Sequence, residues 1–191
     1  MEFREVLRRR RMIRTFESRS VPEPVLQELL RVAQRAPSAG HTQPLQVVVV
    51  RDAGVRKDLA QASWSRGARP DAGDVTVVFC GDLIREAERY GARGAHKYLY
   101  FDVAYSALLF MLAATDQHIA TAFIGDFHEE HVQAVLGLPP SVVPVGMVIA
   151  GYGSEAPRAR PWRPFQEIVH YNRYAPAYDW TPRRLPPDRP R

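Results

Sequence analysis

The sequence predicts a sandwich of the α/β or α+β class in which a sheet is covered on both faces. Three observations carry this. Short, nearly all-apolar, β-branched runs stand at 45–50 and 75–80, as central strands buried on two sides do. Segments of helical period are mixed with them irregularly. Strict βα alternation is missing, which weighs against a doubly wound parallel sheet.

Taken in order, residues 1–11 place Phe3, Val6 and Leu7 on one helical face with arginines around the rest. A second helix is expected over 22–36. Ser20 or Pro22 opens it, Val25, Leu26, Leu29, Leu30, Val32 and Ala33 form its stripe, and Pro37 stops it. The segment 98–114 is apolar nearly all round, so its helix must be buried on every side, at the domain centre or in a subunit interface. A brief strand at 119–124 follows. Asp126 with Glu129 fits an N-terminal cap for a helix through Leu136, ended by Gly137. Residues 142–152 form another strand after the Pro139-Pro140 turn. From residue 153 on, eight of the sixteen prolines occur with eight arginines and two tryptophans. That tail, about 156–191, cannot build a core and is expected to be an extended arm laid over another surface, a partner subunit.

The chain has 191 residues, 46% hydrophobic and 25% charged, which suits one well-buried domain over 1–191 and excludes a disordered, collagen-like or disulfide-scaffolded chain. Its net charge of +5 is unevenly placed. Residues 1–19 carry seven Arg against three acids, 156–191 carry eight against three, and the body between has eleven basic and fifteen acidic residues. An acidic body with basic ends forms no basic stripe, so nucleic acid is not expected as a partner. The single cysteine, Cys80, excludes an internal disulfide and reads as a buried structural thiol. No signal peptide is evident, and the apolar stretch around 99–114 contains Asp102 and is too short for a bilayer span. A soluble cytoplasmic protein without a membrane partner is expected.

Among chemistry-bearing patterns, neither a Gly-x-Gly-x-x-Gly nor a Walker-type loop is present, and no Gly-x-Ser-x-Gly, carboxylate pair or Cys/His pair stands out. Ordinary hydrolase chemistry is therefore not expected, and an enzyme built from this chain would rely on a bound cofactor. The six histidines form no recognisable metal set; His128 and His131 read as surface helix residues. The run Arg8-Arg9-Arg10-Arg11-Met12-Ile13-Arg14 reads either as a solvated charged face or as a clamp for a phosphate, whose oxygens match the paired donors of guanidinium. The polar, proline-flanked loop 36–44 reads equally as a capping turn or as a ligand-recognition element.

The order of these pieces adds specificity. Arg10-Arg11-Met12-Ile13-Arg14-Thr15-Phe16 resembles the opening motif of the nitroreductase family, usually Arg-Arg-Ser-x-Arg-x-Phe. Ala36-Pro37-Ser38-Ala39-Gly40-His41-Thr42-Gln43-Pro44 is similar to the family's second motif, Ala-Pro-Ser-x-x-Asn-x-Gln-Pro-Trp. Ala122-Phe123-Ile124-Gly125-Asp126-Phe127 resembles the third. Val135-Leu136-Gly137-Leu138-Pro139, Val143-Pro144-Val145, Ile149-Ala150-Gly151-Tyr152 and an ending from Arg163 to Tyr174 follow in family order.

The resemblance implies an α+β, three-layer α-β-α sandwich with an extended C-terminal arm, and an FMN-dependent homodimer with each flavin at the interface. By position, Arg10, Arg11 and Arg14 would meet the FMN phosphate or the flavin's polar edge, with Met12 among them. Ser38, His41 and Gln43 would line the flavin or ribityl chain from the other subunit. Ile124 and Gly125 would offer backbone groups near the ring, and Arg160 or Arg163 would add a phosphate contact. Met12 stands where Ser is usual, His41 replaces Asn, Leu45 replaces Trp, and Trp162 stands where a tail arginine is often found. The implied reaction is a ping-pong transfer. NADH or NADPH gives a hydride to the flavin and leaves, and a nitroaromatic, quinone or similar acceptor is reduced in the same slot, with no side-chain acid or base required. Tyr90, Tyr98, Phe101 and Phe127 are candidate aromatic walls, Phe101 being better suited to the core. The alternative is a flavin-binding or flavin-modifying protein, or a reductive dehalogenase-like member, without general NAD(P)H oxidation.

Overall fold

A four-stranded antiparallel sheet divides the apolar side chains into two cores. The computed structural model describes residues 1–65, 67–155 and 161–174, which fall in two units, Met1–Pro157 and Arg158–Arg191. The first unit runs α1 (Phe3–Arg9), α2 (Glu23–Gln34), β1 (Leu45–Val50), α3 (Ala53–Gln61), β2 (Val75–Asp82), α4 (Leu83–Arg93), α5 (Leu99–Asp116), β3 (Ala120–Ile124), α6 (Glu129–Leu136) and β4 (Val142–Gly151). The strand order is β1-β2-β4-β3, with every neighbouring pair antiparallel.

Alternation along β2 shows how two layers of helix share one sheet. Val75, Val77 and Phe79 face Leu26, Leu29 and Ala33 of α2 and Val103, Ala107 and Phe110 of α5. Val78 and Cys80 face Leu59 of α3 and Val132 of α6. The result is the expected three-layer α-β-α sandwich. Cys80 is fully buried, and burial pushes its thiol up to about 12.

Three expectations are corrected. The 45–50 run is an edge strand, not a central one. Among the described residues it pairs only with β2, and Gln46 and Val49 are exposed. Asp126 does not cap α6: His128 holds that position, while the Asp126 carbonyl accepts from the Trp64 amide at 3.0 Å and the Ser63 hydroxyl at 3.3 Å. Gly137 does end α6, with a left-handed φ of 63°. The 98–114 helix is not buried on every side by its own chain, which leaves the subunit-interface alternative. Leu99, Val103, Ala107, Phe110 and Ala114 enter the core, but Phe101, Tyr105 and Leu108 are 47%, 46% and 43% exposed.

Two helices were not evident in the sequence. α3 opens on Asp52, whose carboxylate accepts from the Val55 amide at 2.9 Å. α4 opens on Asp82, which accepts from the amides of Ile84 and Arg85. A kink at Gly91 (φ 55°, ψ −147°) and a π-helical turn, Gly94–Tyr98, lead from α4 into α5. By length and composition alone the run Leu83–Asp116 could cross a membrane, which the shorter 99–114 stretch could not. Its α5 part packs against the sheet through Val103, Ala107 and Phe110.

Candidate functional site

The residues singled out in the sequence gather in two groups within the first unit. The first lies along β3. After α1 the chain turns extended, and Met12 bridges Thr121 in parallel while the Ile13 amide donates to the Thr121 carbonyl at 3.0 Å. The Met12 sulfur accepts from the Phe123 amide at 3.4 Å, so the residue standing in place of Ser fastens this arm to the sheet edge. The backbone amide of Arg14 donates to Glu155 at 2.6 Å, and the Arg14 side chain passes over Gly67, where a Cβ would lie 3.0 Å from its Nε. Arg8 and Arg9 pair with Glu5 on α1, whereas Arg10, Arg11 and Arg14 have no acidic partner among the described residues. β3 ends beside this arm. The Ile124 side chain is buried in the lower core, and Gly125 is exposed next to the Phe123 ring.

The second group is the loop 38–43, which contains a single 3₁₀ turn, Ala39–His41. Three of its residues, Gly40, His41 and Gln43, have positive φ, at 51°, 61° and 55°. Such backbone is strained for His and Gln and persists only under restraint. Ser38 Oγ accepts from the Gln43 amide at 3.0 Å and closes the loop on itself. α4 holds it from outside: Arg89 donates to the Gly40 carbonyl at 2.8 Å, Arg85 donates to the Thr42 carbonyl, and Thr42 Oγ1 meets Glu86. From α5, Asp102 accepts from the Ala39 amide at 2.8 Å. Burial pushes the Asp102 carboxyl above its ordinary value; the Ala39 bond opposes this and the Glu86 carboxylate adds to it. Cavities of about 540 Å³ and 460 Å³ open on either side of His41, bordered by Arg31 and Arg35 on one side and by Arg85 and Arg89 on the other.

Of the candidate aromatic walls, Tyr90 and Tyr98 stack edge to face with ring centroids 5.2 Å apart, and Tyr90 lies against Gly40. Phe127 belongs to the core, and Phe101 is exposed rather than buried. Trp64 lies against His128, with ring centroids 3.8 Å apart. In the second unit Arg163 pairs with Glu167 at 3.3 Å across a short turn, Phe165–Glu167, and Trp162 is exposed. Arg160 lies outside the described residues. Among the described residues no group of three or more His, Cys, Asp or Glu gathers to hold a metal ion.

Sequence reasoning missed Arg85, Glu86, Arg89 and the role of Asp102. The available signal was Asp102 itself, an acid in an otherwise apolar run. The α4 residues gave none, because the side chain that this helix buries is a glutamate.

Known proteins resemble this chain in sequence and fold. A curated relative described as an NADH dehydrogenase from Thermus thermophilus is 29% identical over 188 residues, covering 84% of this chain and 91% of that protein. An FMN reductase (NADPH) from Bacillus subtilis is 24% identical, covering 89% and 73% respectively. The solved structure of the NADPH:FMN oxidoreductase from Vibrio harveyi, complexed with NAD+, shares the fold with a TM-score of 0.82 at 24% identity, covering 91% of this chain and 78% of that one. The sequence model of the nitroreductase family matches residues 7–152, which include both groups of site residues. The chain therefore belongs to the nitroreductase family.

Proposed function

We propose that this chain is one half of a homodimeric, soluble cytoplasmic oxidoreductase. It would use FMN, draw electrons from NADH or NADPH, and reduce an electron-poor acceptor such as a nitroaromatic or a quinone. The observation that carries the reading is the separation of the N-terminal arginines into two sets. Arg8 and Arg9 share the carboxylate of Glu5, while Arg10, Arg11 and Arg14, on the segment that bridges β3 at Met12, have no acidic partner among the described residues. Guanidiniums without a carboxylate partner gain most from an anion with several oxygens, which a phosphate monoester supplies. The donor set thus fits FMN. Names borne by relatives, FMN reductase (NADPH) and NADH dehydrogenase, support the same cofactor and reductant.

In this reading Arg10, Arg11 and Arg14 hold the phosphate, Met12 fixes their strand, and Ile124 and Gly125 present backbone at the flavin. Ser38, His41 and Gln43 face the flavin of the other subunit, and Arg160 or Arg163, in the segment of about 156–191, would add a phosphate contact. The cofactor, when bound, supplies the hydride chemistry in ping-pong order. The chain supplies stacking geometry, hydrogen bonds and exclusion of water.

A second chain is favoured by the outer face of α5. Phe101, Tyr105 and Leu108 share one side of that helix, α1 packs beside it, and Phe3 and Leu7 of α1 are exposed as well. An apolar surface of this kind is characteristic of a partner interface.

The test is an absorbance spectrum of the purified protein with added FMN, followed by anaerobic titration with NADH and NADPH. A flavin spectrum bleached by either nucleotide is expected. Absence of flavin uptake would refute the cofactor assignment. A bound flavin that neither nucleotide reduces would favour the flavin-binding or flavin-modifying alternative.

A further inference from the structure

α4 buries a carboxylate where its packing calls for an apolar side chain. Glu86 is 0% exposed, and its Oε2 meets the Thr42 hydroxyl, but Oε1 has no hydrogen-bond partner among the described residues. Asp102, 6% exposed, comes in from α5 and accepts from the Ala39 amide. No ion pair relieves either acid among the described residues, because Arg85 and Arg89, the guanidiniums closest in sequence to Glu86, donate to the carbonyls of Thr42 and Gly40. Two buried, unpaired carboxyls are unfavourable, and apolar residues of similar volume would fold at lower cost. Their common feature is the target. Both act on the strained 38–43 loop, one through a side chain and one through the backbone.

We propose that Glu86 and Asp102 are positioning residues that hold the 38–43 loop in its positive-φ form, through Thr42 Oγ1 and the Ala39 amide, so that the loop presents Ser38, His41 and Gln43 to the flavin. This rests on the reading that the loop faces FMN. Charged and titratable groups around the loop that the pair holds include His41, Arg85, Glu88, Arg89 and Tyr90, with Tyr98 stacked on Tyr90. Behind the loop a cavity of about 240 Å³ is bordered by Gln34, Ser38, Gln43, Arg85, Asp102 and Ser106, so the loop is not held there by close packing. The polar anchors take that role.

The pair adds a pH dependence. Asp102 is shifted upward in the folded chain, so the folded form binds its proton more tightly than the unfolded form. The stability linked to this shift is present below the ordinary carboxylate range and is lost as pH rises through the raised value, whereas the Ala39 hydrogen bond favours the ionised carboxyl and persists.

Hydrogen exchange read by mass spectrometry on the flavin-free protein tests the anchoring directly. Glu86→Leu is expected to lower protection of the 39–43 amides by about ten-fold or more while the thermal midpoint stays level or rises. A merely structural role would move loop and midpoint together. Thr42→Val should reproduce the loss of loop protection without touching α4, and Thr42→Ser should restore it. Asp102→Leu, which removes the acceptor, should lower protection of the Ala39 amide, and wild-type protection there would overturn the share assigned to Asp102; Asp102→Asn should remove the fall in thermal midpoint as pH rises through the raised Asp102 value. FMN titration of the same variants should show affinity lost in parallel with protection. Wild-type protection in both Glu86→Leu and Thr42→Val would overturn the anchoring. Lost protection with unchanged FMN affinity would overturn the positioning role. Wild-type protein that takes up no FMN would instead remove the functional reading, leaving the exchange data to decide the anchoring alone.

Discussion

Gly40→Ala separates backbone strain from the grip of α4 on the loop, because the chain contains its own control. Gly40 (φ 51°) and Gly137 (φ 63°, ψ 34°) are both left-handed, but nothing lies within 4 Å of a Cβ built on Gly137. At Gly137, alanine meets only the left-handed penalty of about 1–2 kcal/mol. This is offset by about 0.4–1 kcal/mol from the reduced freedom of the unfolded chain. A net loss of about 1 kcal/mol follows. At Gly40 the same methyl would lie 2.6 Å from Arg89 Nε and closer still to Tyr90 Oη. Both are ends of side chains, so they move aside rather than distort the backbone. The Arg89 bond to the Gly40 carbonyl is then lost, a further loss of roughly 1 kcal/mol. Gly40→Ala should therefore cost about 2 kcal/mol in urea denaturation, twice the control, and should weaken FMN binding where Gly137→Ala does not. In an Arg89→Ala background the surplus over the control should shrink, because the two changes share one contact. Equal losses for the two glycines, with FMN affinity intact in both, would refute the clamp.

Three further outcomes follow from other parts of the fold. Asp74 gathers the Ser20 hydroxyl at 3.0 Å, the Val21 amide at 2.9 Å and the Arg51 guanidinium at 2.6 Å, tying the start of α2 to β2. Asp74→Ala should cost about 3 kcal/mol in denaturant melts, mostly from the orphaned amide of buried Val21, and Asp74→Asn only about 1, since an acceptor remains. Cys80 should resist a thiol reagent until the protein unfolds. Its folded value lies above its ordinary one, so the associated stability is present below about pH 9 and lost as pH rises toward 12, a loss that Cys80→Ala removes from an alkaline stability titration. Arg14→Ala should weaken FMN binding ten-fold or more and Arg8→Ala hardly at all, because Arg8 is already paired with Glu5; equal effects in a flavin titration would remove the distinction between the two arginine sets.

The sandwich was legible in the sequence because its layers rest on apolar pattern. The all-apolar run of β2 demands cover on both faces, and the stripe of α2 finds it. β1 reads the same way yet lies at the edge of the sheet within one chain, since composition reports apolarity and not the number of neighbours. α3 was hidden by having only Leu59 fully buried, and α4 by burying Glu86. The candidate site was visible in the sequence only as motifs, Arg10–Arg14 and 36–44, whose residue types suit phosphate and polar recognition. The hold of α4 and α5 on the loop was not, because it depends on residues some forty to sixty positions away in sequence from their targets.

These distances give α5 a double task. Its inner side carries Asp102 and Ser106, whose hydroxyl donates to the Asp102 carbonyl at 3.2 Å, and from there the helix reaches the Ala39 amide. Its outer side, one residue away at Phe101 and Tyr105, is the apolar face proposed to meet a second chain. A helix fixed on one side by a partner and on the other by the sheet has little freedom to turn, so the carboxyl it presents to the loop is fixed as well. If the proposed dimer forms through this face, dimer formation and loop geometry become one structural event. The proposed site, with arginines from one chain and the 38–43 loop from the other, would then be completed only when α5 is held in place.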